Sequence, residues 1–279
     1  MQNNIIKYIC TVKTYMSDLI TSLQNPKIKN LKKLDKHAER RAQNLFVIEG
    51  LRETVLAARA GYQITALYVC PELLKEQSAY NLNEIEENVE RYEITQAVYN
   101  SVAYRETTEG ILATAIPHPL TLNSLQLKPQ PLILVIEGVE KPGNLGAMLR
   151  TCDAAAVDAV IICDPKTDVY NPNVVRSSIG TVFTNQIAVC ETNEAISFFK
   201  NNSITTYAAE LGATLYHHQQ SFTGATALVV GTEATGLSHE WMNAADKKIK
   251  IPMLGQIDSL NVSVSAAILL FEARRQRML

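Results

Sequence analysis

The strongest constraint on this chain is a near-continuous apolar run, PLILVIEGV at 131–139. A strand of that kind fits a sheet covered on both faces, as parallel strands flanked by helices are. A helical pattern from about Asn144 to Ala156 follows it, then a second apolar strand, AVIIC (159–163). Further strands are expected at VFTNQIAVC (182–190), ITTYAAE (204–210), ATALVVG (225–231) and KIKIPM (248–253), and a long helix at 259–276. Strands alternating with helices predict an α/β fold built on a parallel sheet.

The first half reads differently. NLFVIEG (44–50) predicts a short strand ending at a glycine, followed by a helix through Ala60. ITALYVC (64–70) and EGILATA (109–115) predict two more strands, and so a smaller α/β domain. IPHPLTLNSLQLKPQP (116–131) holds four prolines and little periodicity, the composition of a connection. The expected organisation is an N-terminal extension at 1–16, a substrate domain at 17–115, a linker at 116–130 and a second domain at 131–279.

Composition decides which partners remain possible. With 26 Lys plus Arg against 28 Asp plus Glu in 279 residues, the net charge of −2 excludes general electrostatic coating of nucleic acid. The charges are nevertheless segregated. Eight basic and three acidic residues lie between Lys27 and Arg52, whereas seven Glu stand against Lys75 and Arg91 between Glu72 and Glu93. Such polarity fits either a solvated helix face or a face turned toward phosphate. Five scattered cysteines without a C-x-x-C point to a reducing compartment and give no zinc-ligand spacing. No apolar run is long enough to span a membrane, and the N-terminus lacks the pattern of a signal peptide, so a cytoplasmic location is expected.

Three Gly-punctuated segments fall at strand ends, where open α/β sheets place ligands. EKPGNLGAMLRTCDAAAVD (140–158) is not the G-x-G-x-x-G of a dinucleotide-binding turn. VVGTEATGLSHEW (229–241) places two glycines in a loop, with Ser238 as N-cap of a short helix. IPMLGQIDSLNVSVSAA (251–267) predicts Ser259 as cap of the final helix, with Asn261 and Ser263 in its first turn. Singly, each has a plain structural explanation.

In this order and spacing, NLGAMLRT, GTEATGLS and IPMLGQIDSLNVSVSAA resemble motifs one, two and three of the SpoU/TrmH branch of the SPOUT RNA methyltransferases. FVIEGLRETVLAARAG, with the later strand ending GILA, resembles that family's substrate-binding domain more loosely. The resemblance implies a C-terminal domain knotted as a trefoil and S-adenosylmethionine as cofactor. It implies cofactor contacts at Gly231, Ile251 and Leu260, with Thr232, Glu233, Gly236, Leu237 and Met253 close by. It further implies a homodimer, with the final helix (Val262, Ala266, Leu269, Leu270) fitting either the interface or ordinary core.

The implied reaction is 2′-O-methylation of RNA ribose, without a metal. Asn144 and Arg150 match the catalytic motif, with Glu233, Ser259 and Asn261 organising Arg150 and the ribose. A guanidinium with a pKa above about 12 is a poor base, so Arg150 is expected to hold phosphate and stabilise charge on oxygen. The basic stretch then reads as an RNA contact through Lys32, Lys33, Arg40 and Arg41, and the histidines, His217–His218 included, as surface residues. Large-subunit (23S) rRNA is the expected substrate. The alternatives are a tRNA methyltransferase, an antibiotic-resistance rRNA methylase and, from another class, an inactive RNA-binding module.

Overall fold

The computed structural model describes residues 18–74, 80–86, 88–104, 109–232 and 235–278. The expected extension at 1–16 lies outside them. The chain forms two compact units, one of residues up to His118 together with Val169–Phe183, the other of Pro119–Asp168 and Thr184–Leu279.

In the first unit the elements run β1 (Asp18–Ile20), α1 (Pro26–Lys33), α2 (His37–Gln43), β2 (Phe46–Glu49), α3 (Leu51–Arg59), β3 (Ile64–Val69), β4 (Glu90–Ile94), α4 (Gln96–Asn100) and β5 (Ile111–Ala115). The sheet order β1-β4-β3-β5-β2 is mixed. β1 and β3 flank β4 in parallel, and β5 runs antiparallel to both β3 and β2. Asn25 starts α1 by accepting the Lys27 N–H (2.9 Å), and Pro26 occupies the first helical position, where no N–H is missed. Ile28, Leu31 and Leu34 recur at helical spacing and bury against Val47, Tyr68 and Ile94.

The segment Val169–Phe183 carries two short helices, α6 (Pro172–Ser177) and α7 (Thr181–Thr184, whose last residue belongs to the second unit). Its Tyr170 stacks on Phe46 with ring centroids 4.5 Å apart, and the Tyr62 and Tyr170 hydroxyls meet at 3.1 Å. His118 stacks on Tyr62 at 3.8 Å, so this histidine, expected at the surface, is half-buried and packed on one face.

The second unit runs β6 (Leu132–Glu137), α5 (Pro142–Ala154), β7 (Ala159–Cys163), β8 (Ile187–Cys190), α8 (Thr192–Asn201), β9 (Thr205–Ala209), β10 (Leu215–Tyr216), β11 (Thr226–Val230), α9 (His239–Ala244), β12 (Lys247–Lys250) and α10 (Val262–Arg277). All strands pair in parallel in the order β10-β12-β9-β11-β6-β7-β8, as the apolar runs predicted. The strand expected at 182–190 is only its second part, because Thr181–Thr184 closes a helical turn first. The expected linker is not free either. Leu122, Leu125 and Leu127 pack against the core of Ile133, Ile161, Ala227 and Trp241.

Helix α10 is capped by Asn261, whose side chain accepts the Ser263 N–H (2.9 Å); Ser259, the expected cap, lies two residues upstream. Of the stripe Val262, Ala266, Leu269 and Leu270, the last three are fully buried, as is Ala273, and so pack as core, whereas Val262 is half-buried. At the far end of the helix Arg277 donates to the carbonyls of Gln130 (2.7 Å), Pro131 (3.2 Å) and Phe222 (2.8 Å). Arg274 donates to those of Ala155 and Ala156 (2.7 and 2.6 Å).

Candidate active site

The C-terminal ends of β9, β11 and β12 open onto a cavity of about 560 Å³, a size suited to a small-molecule ligand. Each strand contributes the turn that follows it. Ala209–Gly212, Val230–Thr232 and Ile249–Ile251 line the cavity together with Met253, Asp258–Leu260 and residues Val262, Ser265 and Leu269 of α10. The sequence-predicted residues Gly231, Thr232, Gly236, Leu237, Ile251, Met253, Leu260 and Ser259 therefore converge, across spacings of up to 29 residues, on one space. Glu233 lies outside the described residues.

The loop after β11 is closed by its own backbone. Thr232 and Gly236 exchange N–H···O bonds of 3.0 and 3.2 Å, and the Thr235 N–H donates to the Thr232 hydroxyl (3.0 Å). A Cβ on Gly231 would lie 2.3 Å from the Gly236 carbonyl oxygen, so only glycine permits this closure. Ser238 then accepts the Trp241 N–H (3.4 Å) and starts α9, as the sequence predicted. Backbone groups at strand ends, with Leu237, Ile251, Met253 and Leu260 as walls, suit S-adenosylmethionine. An adenine ring needs hydrogen bonds at its edge and apolar contact on its faces.

A smaller recess of about 130 Å³ shares Gly231, Thr232 and Val262 with this cavity and is otherwise lined by Ile136 of β6, by Val139–Lys141 of the turn that follows it, and by Asn144 and Met148 of α5. Asn261 donates from its amide to Asn144 Oδ1 (3.3 Å) and so joins motifs one and three. Ser259 is exposed and donates to Asp258 Oδ1 (3.0 Å). Arg150 is also on α5 but lines neither space. At roughly 3.6 residues per turn, six residues separate it from Asn144 by about 120° around the helix. Its side chain is exposed, and among the described residues it forms no ion pair.

The basic residues divide sharply. Lys32, Lys33 and Arg41 are exposed, whereas Arg40 is buried and donates to the carbonyls of Leu34 (2.8 Å) and Asp35 (2.7 Å). Arg40 therefore fastens the end of α1 and is no RNA contact. His217 is buried as well. Its Nδ1 lies 3.3 Å from the Lys250 carbonyl oxygen, and burial pushes its pKa below the usual imidazole value. Sequence reasoning missed Glu137, at the end of β6. The residue is 6% exposed, and its carboxylate accepts the Ser238 N–H (2.8 Å) and the Thr192 hydroxyl (2.9 Å). The local signal was one acidic residue closing an apolar strand. Among the described residues no group of three or more His, Cys, Asp or Glu is placed to hold a metal ion.

Known proteins match this arrangement. The model of the SpoU rRNA Methylase family matches residues 131–271, and that of the MRM3-like substrate binding domain matches residues 25–113. The 23S rRNA (guanosine(2553)-2′-O)-methyltransferase RlmP of Bacillus subtilis (strain 168) is 30% identical over 257 residues, 91% of this chain and 98% of its own. A tRNA (guanosine(18)-2′-O)-methyltransferase of Thermus thermophilus is 41% identical, but over 53% of this chain and 76% of its own. A crystal structure of an RNA 2′-O ribose methyltransferase superposes with a TM-score of 0.81 at 38% identity, covering 94% of this chain and all of the other. An AdoMet-bound rRNA methyltransferase from Sinorhizobium meliloti superposes with a TM-score of 0.82 at 26% identity, covering 92% and 97%. The chain belongs to the SpoU rRNA methylase family, the S-adenosylmethionine-dependent RNA 2′-O-methyltransferases.

Proposed function

We propose that this enzyme methylates one ribose 2′-hydroxyl of large-subunit rRNA. The observation that carries the reaction is the convergence of motif-two and motif-three residues on one cavity beside Asn144. The rRNA assignment is supported by RlmP, a relative that spans both halves of the chain, whereas the tRNA (guanosine(18)-2′-O)-methyltransferase matches about half of it. S-adenosylmethionine, when bound, supplies an electrophilic methyl carbon on a sulfonium.

The protein's task is then to position and polarise an alcohol. Asn144, held by Asn261, is placed to accept or donate at the ribose. Arg150 holds an adjacent phosphate and stabilises negative charge as it develops on the 2′-oxygen; the proton passes to a phosphate oxygen or water. Glu233, Ser259 and Asn261 organise Arg150 and the substrate ribose. Lys32, Lys33 and Arg41 add phosphate contacts without sequence choice.

Arg150 lies away from its own cavity, which supports a homodimer in which Arg150 of one protomer serves the site of the other. α10 keeps Val264 and Phe271 46% and 49% exposed, and the preceding loop keeps Leu254 97% exposed, so apolar surface remains for a second copy. Light scattering is expected to give about twice the 30.9 kDa chain mass. The reading also includes the family's trefoil knot and a cytoplasmic location, where thiols such as Cys70 and Cys152 stay free.

The test is Arg150→Ala. It should leave S-adenosylmethionine affinity within about twofold and lower methyl transfer at least 100-fold, about 2.7 kcal/mol of transition-state stabilisation. Full transfer with normal RNA affinity contradicts the assignment.

A further inference from the structure

Glu137 is costly where it stands. A carboxylate removed from water is destabilising unless partnered, and among the described residues no cation pairs with it. Its two oxygens are taken by two neutral donors from different elements. Oε2 accepts the backbone N–H of Ser238 (2.8 Å), and Oε1 accepts the hydroxyl of Thr192 (2.9 Å), the first residue of α8.

Ser238 directly follows the wall of the large cavity. Gly236 and Leu237 line that cavity, and Ser238 carries the chain into α9. The 232–236 bridge and the close approach of Gly236 and Leu237 to Gly231 hold this loop to the end of its own strand, β11, and the Ser238 N–H gives it a second tie, to the neighbouring strand. Strand β6, which pairs with β11 up to Val230, ends at Glu137, so the carboxylate reaches the loop from a fixed strand. The next residue, Gly138, has φ +62°, and a Cβ there would lie 2.9 Å from Thr232 Cγ2, so the strand end and the loop are closely apposed.

We propose that Glu137 is a positioning residue for S-adenosylmethionine, a clasp that sets the Gly236–Leu237 wall at the depth the cofactor requires. It touches neither cofactor nor RNA. Its effect passes through the Ser238 N–H, and Thr192 holds the carboxylate in the orientation that meets this donor. The inference rests on the large cavity being the cofactor site.

Three variants test it by calorimetric titration with S-adenosylmethionine, together with KM and kcat for methyl transfer. Glu137→Ala should weaken cofactor affinity about 10- to 100-fold, equivalent to about 1.4–2.7 kcal/mol. At saturating cofactor its kcat should stay within about threefold, and KM for RNA should not change. A merely structural role would lower Tm and the active fraction without this split. Glu137→Gln can accept the Ser238 N–H with its carbonyl and donate to Thr192 with its amide, so affinity should return to within about threefold. Thr192→Val frees one end of the carboxylate and should cost about threefold; it covers the case in which Glu137→Ala does not fold.

Wild-type affinity in folded Glu137→Ala, or in Thr192→Val, overturns the proposal. So does an equal loss in Glu137→Gln and Glu137→Ala, which would assign the effect to charge and not to a held loop. Absence of S-adenosylmethionine binding by the wild-type chain would instead overturn the cavity assignment itself.

Discussion

Gly231 shows how strictly a single position can be set by backbone. With a Cβ 2.3 Å from the Gly236 carbonyl oxygen and 2.6 Å from the Leu237 nitrogen, Gly231→Ala has to push the loop off the cavity. We expect at least a tenfold loss of S-adenosylmethionine affinity by calorimetry, about 1.4 kcal/mol, with the fold retained. Arg40 makes the opposite point about legibility. In the sequence it is one of eight basic residues in a run, and nothing in that run marks which side chain turns inward to cap α1. Arg40→Ala should lower stability by about 1–3 kcal/mol in urea unfolding and leave the salt dependence of RNA binding unchanged. Joint replacement of Lys32, Lys33 and Arg41 by Gln should do the reverse, keeping stability and flattening the salt slope. His217 adds a pH signature. Burial lowers its folded pKa below the unfolded value of about 6.5, so its neutral form stabilises the fold above that pH, and stability falls as pH drops below it. Tm should decline between pH 7 and 5.5 more steeply in the wild-type chain than in His217→Gln, by at most about 1.4 kcal/mol per pH unit from this one proton.

Elements were legible where periodicity was unambiguous. The strands β6, β7 and β11 are apolar throughout, and the final helix repeats its buried residues at 266, 269, 270 and 273, one face of a helix. The failures have physical causes. Apolar content alone did not separate the Thr181–Thr184 turn from the strand that follows it, and either of two polar residues could have capped α10. β4 was missed because Glu90 and Glu93 place it in an acidic run, although Tyr92 and Ile94 are buried. What anchors α10 was equally invisible, since Arg277 reaches carbonyls more than 50 residues away in sequence. Arg277→Ala removes this donor from several carbonyls at once; it should destabilise the chain by about 2–3 kcal/mol in urea unfolding.

At the scale of the molecule, the order of motifs disclosed the chemistry better than it disclosed the architecture. The motif residues came from a resemblance, and the structure brings those that it describes to one cavity or its rim, except Arg150. Composition and periodicity could not show that Val169–Phe183 packs with the first unit, because the Tyr62–Tyr170 contact joins residues 108 apart. A fragment ending at residue 130 therefore lacks Tyr170 and Phe183, and it uncovers Phe46, which is fully buried in the intact chain. It should lose near-ultraviolet circular dichroism and bind a hydrophobic dye, where a self-sufficient domain would do neither.

The most direct test of the whole account is transfer of labelled methyl from S-adenosylmethionine to total rRNA and tRNA from cells lacking this gene, with the product mapped by resistance of the modified linkage to alkali. The account predicts label at one position of large-subunit rRNA, absent with Arg150→Ala. Label confined to tRNA would contradict the substrate, and no label in either RNA, with cofactor binding intact, would contradict the enzyme.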